Sequence, residues 1–334
     1  MKPLVQVSRL SKFYPVTGGL LHKKIGEVKA VNDLTFDLFK GESLGVVGES
    51  GCGKSTLARL ILGLIKSTRG QILFDGLDIT AMGKTRLRRL RRRMQMVFQD
   101  PHSSLDPRNS IFRSLAEVFK IQKEKITTAK RNDRIFQLLD MVGLKPEHCR
   151  AYPYQLSGGQ KQRAVIARAL AMTPEFIILD EPTAALDVSV QAQIVLLLRK
   201  LRRRFNMSYL FISHDLALVD YFCDRIIVMY LGRIVEITSG KLSGQKPGHP
   251  YTQLLLDSLF TADPFARKPA PKIEGEVPTP FNLPGGCVFQ NRCPHAQEIC
   301  RSLSPDLVKT RTNGQVACHF PLNSIDKKGE EIQK

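Results

Sequence analysis

Short apolar runs separated by turn residues dominate the first 240 residues of the chain. Three of these runs are continuous, which is typical of buried strands in a parallel sheet, and they cover residues 43–47, 174–180 and 208–213. The alternating run LTFDLF within residues 29–39 predicts a half-covered strand, and residues 3–7 predict another. Between these two, the stretch from Tyr14 to Val28 carries Gly and Lys and predicts a long loop. RIIVMY and GRIVEI predict a hairpin that turns at Leu231-Gly232.

The pattern changes in the middle and again near the end of the chain. Between about residues 100 and 165 it becomes helical, with predicted helices at 111–122 and 127–142. This predicts a helical subdomain inserted into an α/β core. Past residue 245 proline becomes frequent, and a cysteine-bearing segment follows. We therefore predict an α/β domain over residues 1–245 and a smaller, irregular extension over residues 246–334.

A glycine-rich turn separates the strand at 43–47 from a helical pattern that begins near Lys54. Its sequence GESGCGKST fits the phosphate-binding pattern G-x-x-x-x-G-K-[ST]. Glycines let backbone N–H groups surround phosphate oxygens, and the helix start adds its positive dipole end. We expect Lys54 to reach the β- and γ-phosphates and the Ser55 hydroxyl to bind Mg²⁺. The predicted nucleotide-binding residues of this loop are Gly48, Glu49, Ser50, Gly51, Cys52, Gly53, Lys54, Ser55 and Thr56.

The charge balance points to an anionic neighbour. Fifty Lys and Arg against 31 Asp and Glu give a formal net charge of +19, which favours nucleic acid, nucleotide or a membrane leaflet. The start of the chain lacks the apolar core of a signal peptide, and no apolar stretch reaches the roughly 18 residues of a membrane span. A soluble or peripheral protein on the cytoplasmic side is expected. The basic stretch KTRLRRLRRRM is interpreted as a solvated helix with Leu87 and Leu90 inward, because no aromatic residues interleave to stack bases.

Polar residues follow several of the predicted strands. FIILDE ends in Asp180, predicted to hold Mg²⁺ through its water shell, and Glu181, predicted to polarise the attacking water. His214 follows the strand at 208–213, where ligands of open α/β sheets bind, and is a candidate γ-phosphate sensor. Gln99 ends another apolar strand and is expected to touch Mg²⁺ and the water. Acidic turns and single histidines are common outside active sites, so a catalytic role for these residues is predicted only because the chain also carries the phosphate loop.

The motif LSGGQKQR begins a strongly periodic helix and forms a second candidate anion site. One nucleotide already occupies the first loop, so the physical solution is a head-to-tail pair of subunits in which each motif closes the other's triphosphate. The residues predicted to act across such a dimer are Leu156, Ser157, Gly158, Gly159 and Gln160.

GESGCGKST, FQD, LSGGQ, FIILDE, ALD and SHD occur in the order and spacing of ATP-binding-cassette (ABC) ATPases, which the chain resembles over about residues 1–240. The resemblance implies a P-loop NTPase core with a mixed or parallel sheet, an antiparallel β part, the helical subdomain, and ATP sandwiched in a dimer. The roles that it implies are adenine stacking on Tyr14, a lever to the membrane partner at Gln99, coupling of the two sites at Asp187, and a switch at His214. The family usually has Ser where Ala184 stands, which affects coupling more than catalysis.

Nucleic-acid-associated ATPases that also carry LSGG are the rival class. Those proteins hold a long coiled coil between the phosphate loop and the signature. Here about a hundred residues without sustained heptads fill that interval. We therefore expect no nucleic-acid partner.

A longer set of segments resembles the ATPase subunits of dipeptide and oligopeptide permeases. They are VVGESGCGKST, FQDPHSSLDPR, EPTAALDVSVQAQI, MYLGRIVE, HPYTQLLL and GEVPTPFNLPGGCVFQNRCPHA. The loop expected at 15–29 resembles that of the second, F-type, ATPase of such a pair. The resemblance implies peptide import with a second homologous ATPase, two transmembrane permease subunits and a periplasmic or extracellular peptide-binding protein. It also implies a peripheral position on the cytoplasmic side of the inner membrane. Nickel importers share much of the pattern and remain an alternative.

Four of the seven cysteines lie in the last fifth of the chain, at Cys287, Cys293, Cys300 and Cys318. Their spacing lacks the C-x-x-C pairs of zinc ribbons, and structural disulfides are not expected in a cytosolic chain. Four thiolates in a Pro-rich, core-poor segment suit a [4Fe–4S] cluster, and some members of the permease family carry one at equivalent cysteines. Zn²⁺, with His295 and His319 as spare ligands, and four reduced thiols remain open.

Overall fold

The computed structural model describes residues 2–18, 23–100, 104–122, 126–242, 244–258, 281, 283–310 and 314–323. The strands are β1 (Pro3–Gly18), β2 (Lys23–Phe39), β3 (Ser43–Val47), β4 (Arg69–Phe74), β5 (Leu77–Asp78), β6 (Met94–Val97), β7 (Phe176–Asp180), β8 (Ser208–Ile212), β9 (Arg225–Tyr230), β10 (Arg233–Ile237), β11 (Val308–Lys309) and β12 (Gln315–Val316). The helices are α1 (Lys54–Ile61), α2 (Lys84–Leu90), α3 (Ile111–Gln122), α4 (Thr128–Met141), α5 (Gly158–Leu170), α6 (Val188–Phe205), α7 (Leu216–Phe222), α8 (Pro250–Asp257) and α9 (Glu298–Ser302). Two 3₁₀ turns, Pro146–Cys149 and Pro153–Gln155, lie between α4 and α5.

The chain forms two compact units. Unit 1 comprises Met1–Leu38, Ser43–Thr80 and Ser213–Lys334, and unit 2 comprises Phe39–Glu42 and Ala81–Ile212. No helix among the described residues has the length and apolar character needed to cross a membrane.

Unit 1 combines an antiparallel β part with a mixed sheet. The first has the strand order β2-β1-β4-β5, and β1 runs antiparallel to β4 with Val5 opposite Phe74. In the second, β11, β12, β10, β9 and β3 are neighbours in that order. β3 pairs with β9 in parallel, and all five of its residues are buried, which explains its continuous apolar sequence.

Unit 2 contains three parallel strands and the helical region. β7 lies between β6 and β8, with Ile178 opposite Met96 on one side and Leu210 on the other. α6 buries Ile194, Leu198 and Leu201, three positions at helical spacing on one face. α2 buries Leu87 and Leu90, so the basic stretch is a helix with its leucines inward, as the sequence predicts.

Most predicted elements are confirmed and one is wrong. The buried strands, the helices at 111–122 and 127–142, and the β9–β10 hairpin at Leu231-Gly232 are present, and both hairpin-turn residues have positive φ. The long loop predicted from Tyr14 to Val28 is wrong, because β1 continues to Gly18 and β2 begins at Lys23. β2 and β1 are hydrogen-bonded neighbours in the sheet, and the side chains of β1 from Tyr14 to Gly18 are half-buried or exposed, so burial leaves no apolar pattern there.

The end of the chain is built onto unit 1. β12 pairs antiparallel with β10, with Val316 opposite Glu236, and extends the mixed sheet. Most of the Pro-rich stretch at 268–286, which the sequence predicts to be an irregular linker, and the charged residues from 324 onward lie outside the described residues. The domain boundary at residue 245 stays a prediction.

Candidate nucleotide-binding site

The phosphate loop follows β3 and depends on glycine at its ends. Gly48, Gly51 and Gly53 have φ of 150°, 79° and 105°, values that residues with a side chain rarely adopt. A Cβ at Gly48 would lie 2.1 Å from the Met229 carbonyl oxygen, and one at Gly53 would lie 2.1 Å from that of Ala30. Only glycine lets the loop lie against both backbones.

Lys54 is the first residue of α1 and its side chain folds back over the loop. Its Nζ donates to the carbonyl oxygens of Gly48 at 2.6 Å and Glu49 at 3.0 Å. Gly53 is the N-cap of α1, and among the described residues no side chain caps this helix. The N-terminal N–H groups of α1 therefore face a loop that offers backbone donors and one ammonium, a chemistry suited to an anion. Burial raises the pKa of the nearby Cys52 thiol, which keeps it protonated at neutral pH.

Two further predicted residues lie in unit 1. Tyr14 is 38% exposed, with the Lys12 ammonium 4.9 Å from its ring centroid, so part of the ring is open to stacking. His214 is exposed and lies just before α7. Asp215 caps that helix by accepting from the Leu218 N–H at 3.0 Å, which holds the backbone next to His214.

Unit 2 brings the predicted base and the predicted lever residue together. Gln99 Nε2 donates to Glu181 Oε2 at 3.0 Å. Asp180 is buried at the end of β7, and Glu181 follows in the left-handed region with φ of 48°. The Glu181 N–H donates to the Ile212 carbonyl at 2.9 Å, so backbone hydrogen bonding holds this uncommon conformation.

The predicted signature motif forms the start of α5. Ser157 is the N-cap, and its hydroxyl accepts from the Gln160 N–H at 3.3 Å while Gln160 Oε1 accepts from the Ser157 N–H at 2.9 Å. This capping box fixes the direction of the helix start. A Cβ at Gly159 would lie 2.5 Å from Val190 Cγ1 on α6, which explains the second glycine. Asp187, predicted to couple the two nucleotide sites, is the exposed N-cap of α6.

The four C-terminal cysteines line one small cavity. Also around it lie His249, His295 and His319. All seven cysteines of the chain are free thiols. Burial and the neighbouring Cys287, Cys293 and Cys300 raise the pKa of the Cys318 thiol to about 12. Among the described residues, no three His, Cys, Asp or Glu side chains converge as ligands of a single metal ion.

Sequence reasoning missed the residues that hold Glu49 in the phosphate loop. Tyr251 and Arg292, both in the C-terminal part of unit 1, bind its N–H and its carboxylate. More than 200 residues separate each of them from Glu49, so no local pattern in the sequence links them to the phosphate loop. The position of Arg292 beside Cys293 was the one sign that this arginine lies in a structured segment.

Two family models match the chain. The one described as ABC transporter matches residues 31–184, and the one described as oligopeptide/dipeptide transporter, C-terminal region, matches residues 235–300.

Relatives match nearly end to end. The oligopeptide transport ATP-binding protein AppF of Bacillus subtilis (strain 168) is 46% identical over 324 residues, which cover 95% of this chain and 97% of that protein. The di/tripeptide transport ATP-binding protein DppF of Pseudomonas aeruginosa (strain UCBPP-PA14) is 43% identical over 319 residues, 96% of this chain and 98% of that protein.

Solved structures resemble the larger part of the chain. A dimeric structure of a post-hydrolysis state of the ATP-binding cassette MJ0796, bound to ADP and Pi, aligns with a TM-score of 0.61 and 29% identity. The alignment covers 69% of this chain and 96% of the cassette.

Proposed function

Because the chain belongs to the family of ABC transporter ATPases, we propose that its ATP hydrolysis drives the import of di- and oligopeptides through separate membrane subunits. The observation that carries this proposal is the identity of 46% across 95% of the chain to a protein named for oligopeptide transport. The match of residues 235–300 to the C-terminal region of oligopeptide and dipeptide transporters supports it independently of the cassette.

Within this function, the phosphate loop Gly48–Thr56 binds the triphosphate and Tyr14 stacks on adenine. The loop's backbone donors, the Lys54 ammonium and the uncapped start of α1 support the first assignment. The partly exposed Tyr14 ring supports the second.

Glu181 acts as the general base for the attacking water, and Gln99 orients it. Their hydrogen bond of 3.0 Å supports a joint role, because it fixes the orientation of the Glu181 carboxylate, and a general base has to point at the water whose proton it accepts. His214 senses the γ-phosphate. We assign Mg²⁺ binding to Ser55, Gln99 and Asp180 because each of these side chains carries an oxygen, the donor that Mg²⁺ prefers, and a bound Mg²⁺ would neutralise charge on the phosphates.

Leu156–Gln160 act across a dimer with a second, homologous ATPase, and Asp187 couples the two nucleotide sites of that dimer. The capped start of α5 offers its N–H groups to an anion, and the aligned cassette structure is described as dimeric. Two transmembrane permease subunits and a binding protein outside the cell complete the assembly. This chain lies peripherally on the cytoplasmic side of the inner membrane.

Reconstitution tests the proposed cargo. The chain, co-purified with its partner ATPase and membrane subunits in lipid, should hydrolyse ATP faster when a binding protein loaded with a di- or oligopeptide is added. The isolated chain should be a poor ATPase. Stimulation by a nickel-loaded binding protein and not by peptides would replace peptide with nickel as cargo. Vigorous turnover of the isolated chain, unaffected by any partner, would contradict the coupled function.

The C-terminal cysteines hold a [4Fe–4S] cluster in this proposal. Four free thiols line one cavity and supply the donor set. Each thiolate would bind a different iron atom of the cluster, so the four sulfur atoms do not have to converge as they would around a single metal ion. A bound cluster would staple a segment that has little apolar core of its own. The ligands are Cys287, Cys293, Cys300 and Cys318.

Anaerobic purification tests the cluster. The protein should be brown, absorb near ~400 nm, as thiolate-bound iron–sulfur clusters do, and contain iron and acid-labile sulfide. Cys293→Ser should lose iron, while Cys149→Ser, a buried cysteine of unit 2, should retain it. A colourless protein with one zinc per chain would replace the cluster with zinc.

A further inference from the structure

Glu49, the second residue of the phosphate loop, is bound on three sides. Its carbonyl oxygen accepts from Lys54 Nζ at 3.0 Å. Its N–H donates to the Tyr251 hydroxyl at 3.0 Å. Its carboxylate oxygens each accept from one terminal nitrogen of Arg292, both at 3.0 Å. Two of these three partners come from more than 200 residues further along the chain.

Arg292 is held in a buried aromatic pocket and not on the surface. Its side chain is 4% exposed, against 25% for that of Glu49. Its Nη1 also donates to the Tyr230 hydroxyl at 3.2 Å, and its guanidinium carbon lies 5.7 Å from the Tyr230 ring centroid and 6.0 Å from that of Phe289. The rings of Tyr230, Tyr251 and Phe289 contact one another. The bidentate pair therefore forms in a preorganised, largely dry place, where charge interactions are strong.

A carboxylate in this loop has a cost for nucleotide binding. The loop attracts a triphosphate through backbone donors, a helix start and Lys54, and a free negative charge at Glu49 would oppose that attraction. Arg292 cancels the charge, and Tyr251 fixes the direction of the Glu49 N–H.

We propose that Arg292 and Tyr251 are positioning residues of the nucleotide site, through which the C-terminal segment neutralises and holds the phosphate loop. Neither touches the nucleotide in this proposal, because both act through Glu49. The proposal rests on ATP binding at this loop and is independent of peptide as cargo and of any cluster at the cysteines.

The test measures ATP binding by the full chain without Mg²⁺, so that hydrolysis does not interfere. Arg292→Met should weaken ATP affinity by tenfold or more, since one pair of unit charges roughly 10 Å apart at an effective dielectric constant of ~20 already accounts for about tenfold and Mg²⁺-free ATP carries several negative charges. Adding Glu49→Gln to Arg292→Met should restore affinity to within about twofold, because the uncompensated charge is then gone. Arg93→Met, which breaks the ion pair with Glu175 in unit 2, is the matched control and should bind ATP as the wild type does.

Glu49→Gln alone separates this role from simple stapling. It leaves a buried arginine unpaired, so the melting temperature should fall, yet ATP affinity should rise above the wild-type value, because the loop loses a negative charge while Arg292 keeps its positive one. A purely structural contact would lower both together. The proposal is overturned if Arg292→Met binds ATP normally, or if the double variant binds as weakly as Arg292→Met. If Arg292→Met does not fold, Glu49→Gln decides, since an affinity at or below the wild-type value in that variant also overturns the proposal. Absence of ATP binding by the wild type would instead contradict the nucleotide site itself.

Discussion

Glu181 combines an uncommon backbone with a well-held side chain. Its φ of 48° lies in the left-handed region, and its carboxylate accepts from Gln99 at 3.0 Å. A non-glycine residue persists there only when the surroundings hold it, and such positions concentrate at functional sites.

Glu181→Gln should therefore abolish turnover while leaving the fold intact. Glutamine has the same shape and still accepts from Gln99 through its carbonyl oxygen, but it is not a base. We expect kcat to fall at least ~100-fold, the lower range for loss of a general base, with ATP affinity unchanged. Phosphate release by the reconstituted complex measures kcat, and equilibrium binding of ATP to the isolated chain measures the affinity.

The same change should trap the ATP-bound dimer, which size-exclusion chromatography with ATP detects. Glu147→Gln, an exposed acid paired loosely with Lys145 at 3.8 Å, is the matched control and should hydrolyse ATP normally. Wild-type hydrolysis by Glu181→Gln would contradict the assignment of the base.

At the residue scale, local motifs were predictable and the tertiary contacts that position them were not. The glycines, Lys54 and Ser157 are local, because each acts within a turn and the helix that follows. The pairing of Glu49 with Arg292 spans 243 residues, and no spacing rule links them. Only the fold brings such a pair together.

At the element scale, α5 and α6 approach closely at the signature motif. A Cβ at Gly159 would lie 2.5 Å from Val190 Cγ1, and one at Gly158 would lie 3.1 Å from Leu186 Cδ2. Valine is stiff at χ1, whereas a leucine terminus moves aside easily. The two glycines therefore differ in what they permit.

Gly159→Ala should destabilise the protein and Gly158→Ala should be nearly neutral. Overpacking against Val190 costs about 1–3 kcal/mol, partly offset by up to about 1 kcal/mol from the better helix propensity of alanine. Thermal denaturation of both variants measures the difference.

Val190→Ala in the Gly159→Ala background should recover the melting temperature, because it removes Val190 Cγ1, the atom with which the new Cβ would clash. Equal losses in Gly158→Ala and Gly159→Ala, or no recovery in the double variant, would show that helix packing does not explain the second glycine.

Strands were predictable from the sequence where their side chains are buried and form an apolar run, and not where the side chains are half-buried or exposed. β3, β7 and β8 are buried at every residue and appear as apolar runs. The ends of β1 and β2 between Tyr14 and Val28 carry polar and glycine residues, so the sequence there predicts a loop although the strands continue. β1 and β2 are hydrogen-bonded neighbours in the sheet, and pairing between backbones leaves no mark in the side-chain pattern.

At the scale of the whole molecule, the two units carry different parts of the proposed chemistry. Unit 1 holds the phosphate loop, Tyr14 and His214, and unit 2 holds Gln99, the signature, Asp180 and Glu181. In the proposed dimer, the signature serves the partner's nucleotide and not this chain's own. Substitutions in the loop and in the signature should therefore have separable effects.

Lys54→Ala should weaken ATP binding by the isolated chain on the order of a hundredfold, because it removes a charge-assisted contact to the phosphates.

Ser157→Asp should leave the ATP affinity of the isolated chain unchanged, since the aspartate still caps α5 and this chain's own nucleotide does not meet the signature. Within the reconstituted complex, however, the same aspartate places a negative charge against the partner's triphosphate, and ATP hydrolysis should fall at least about tenfold. Ser157→Asn caps the helix equally well without the charge and is the matched control, so it should keep most of the activity. Loss of ATP binding by isolated Ser157→Asp, with its melting temperature unchanged, would place the signature at this chain's own nucleotide and refute the arrangement in trans.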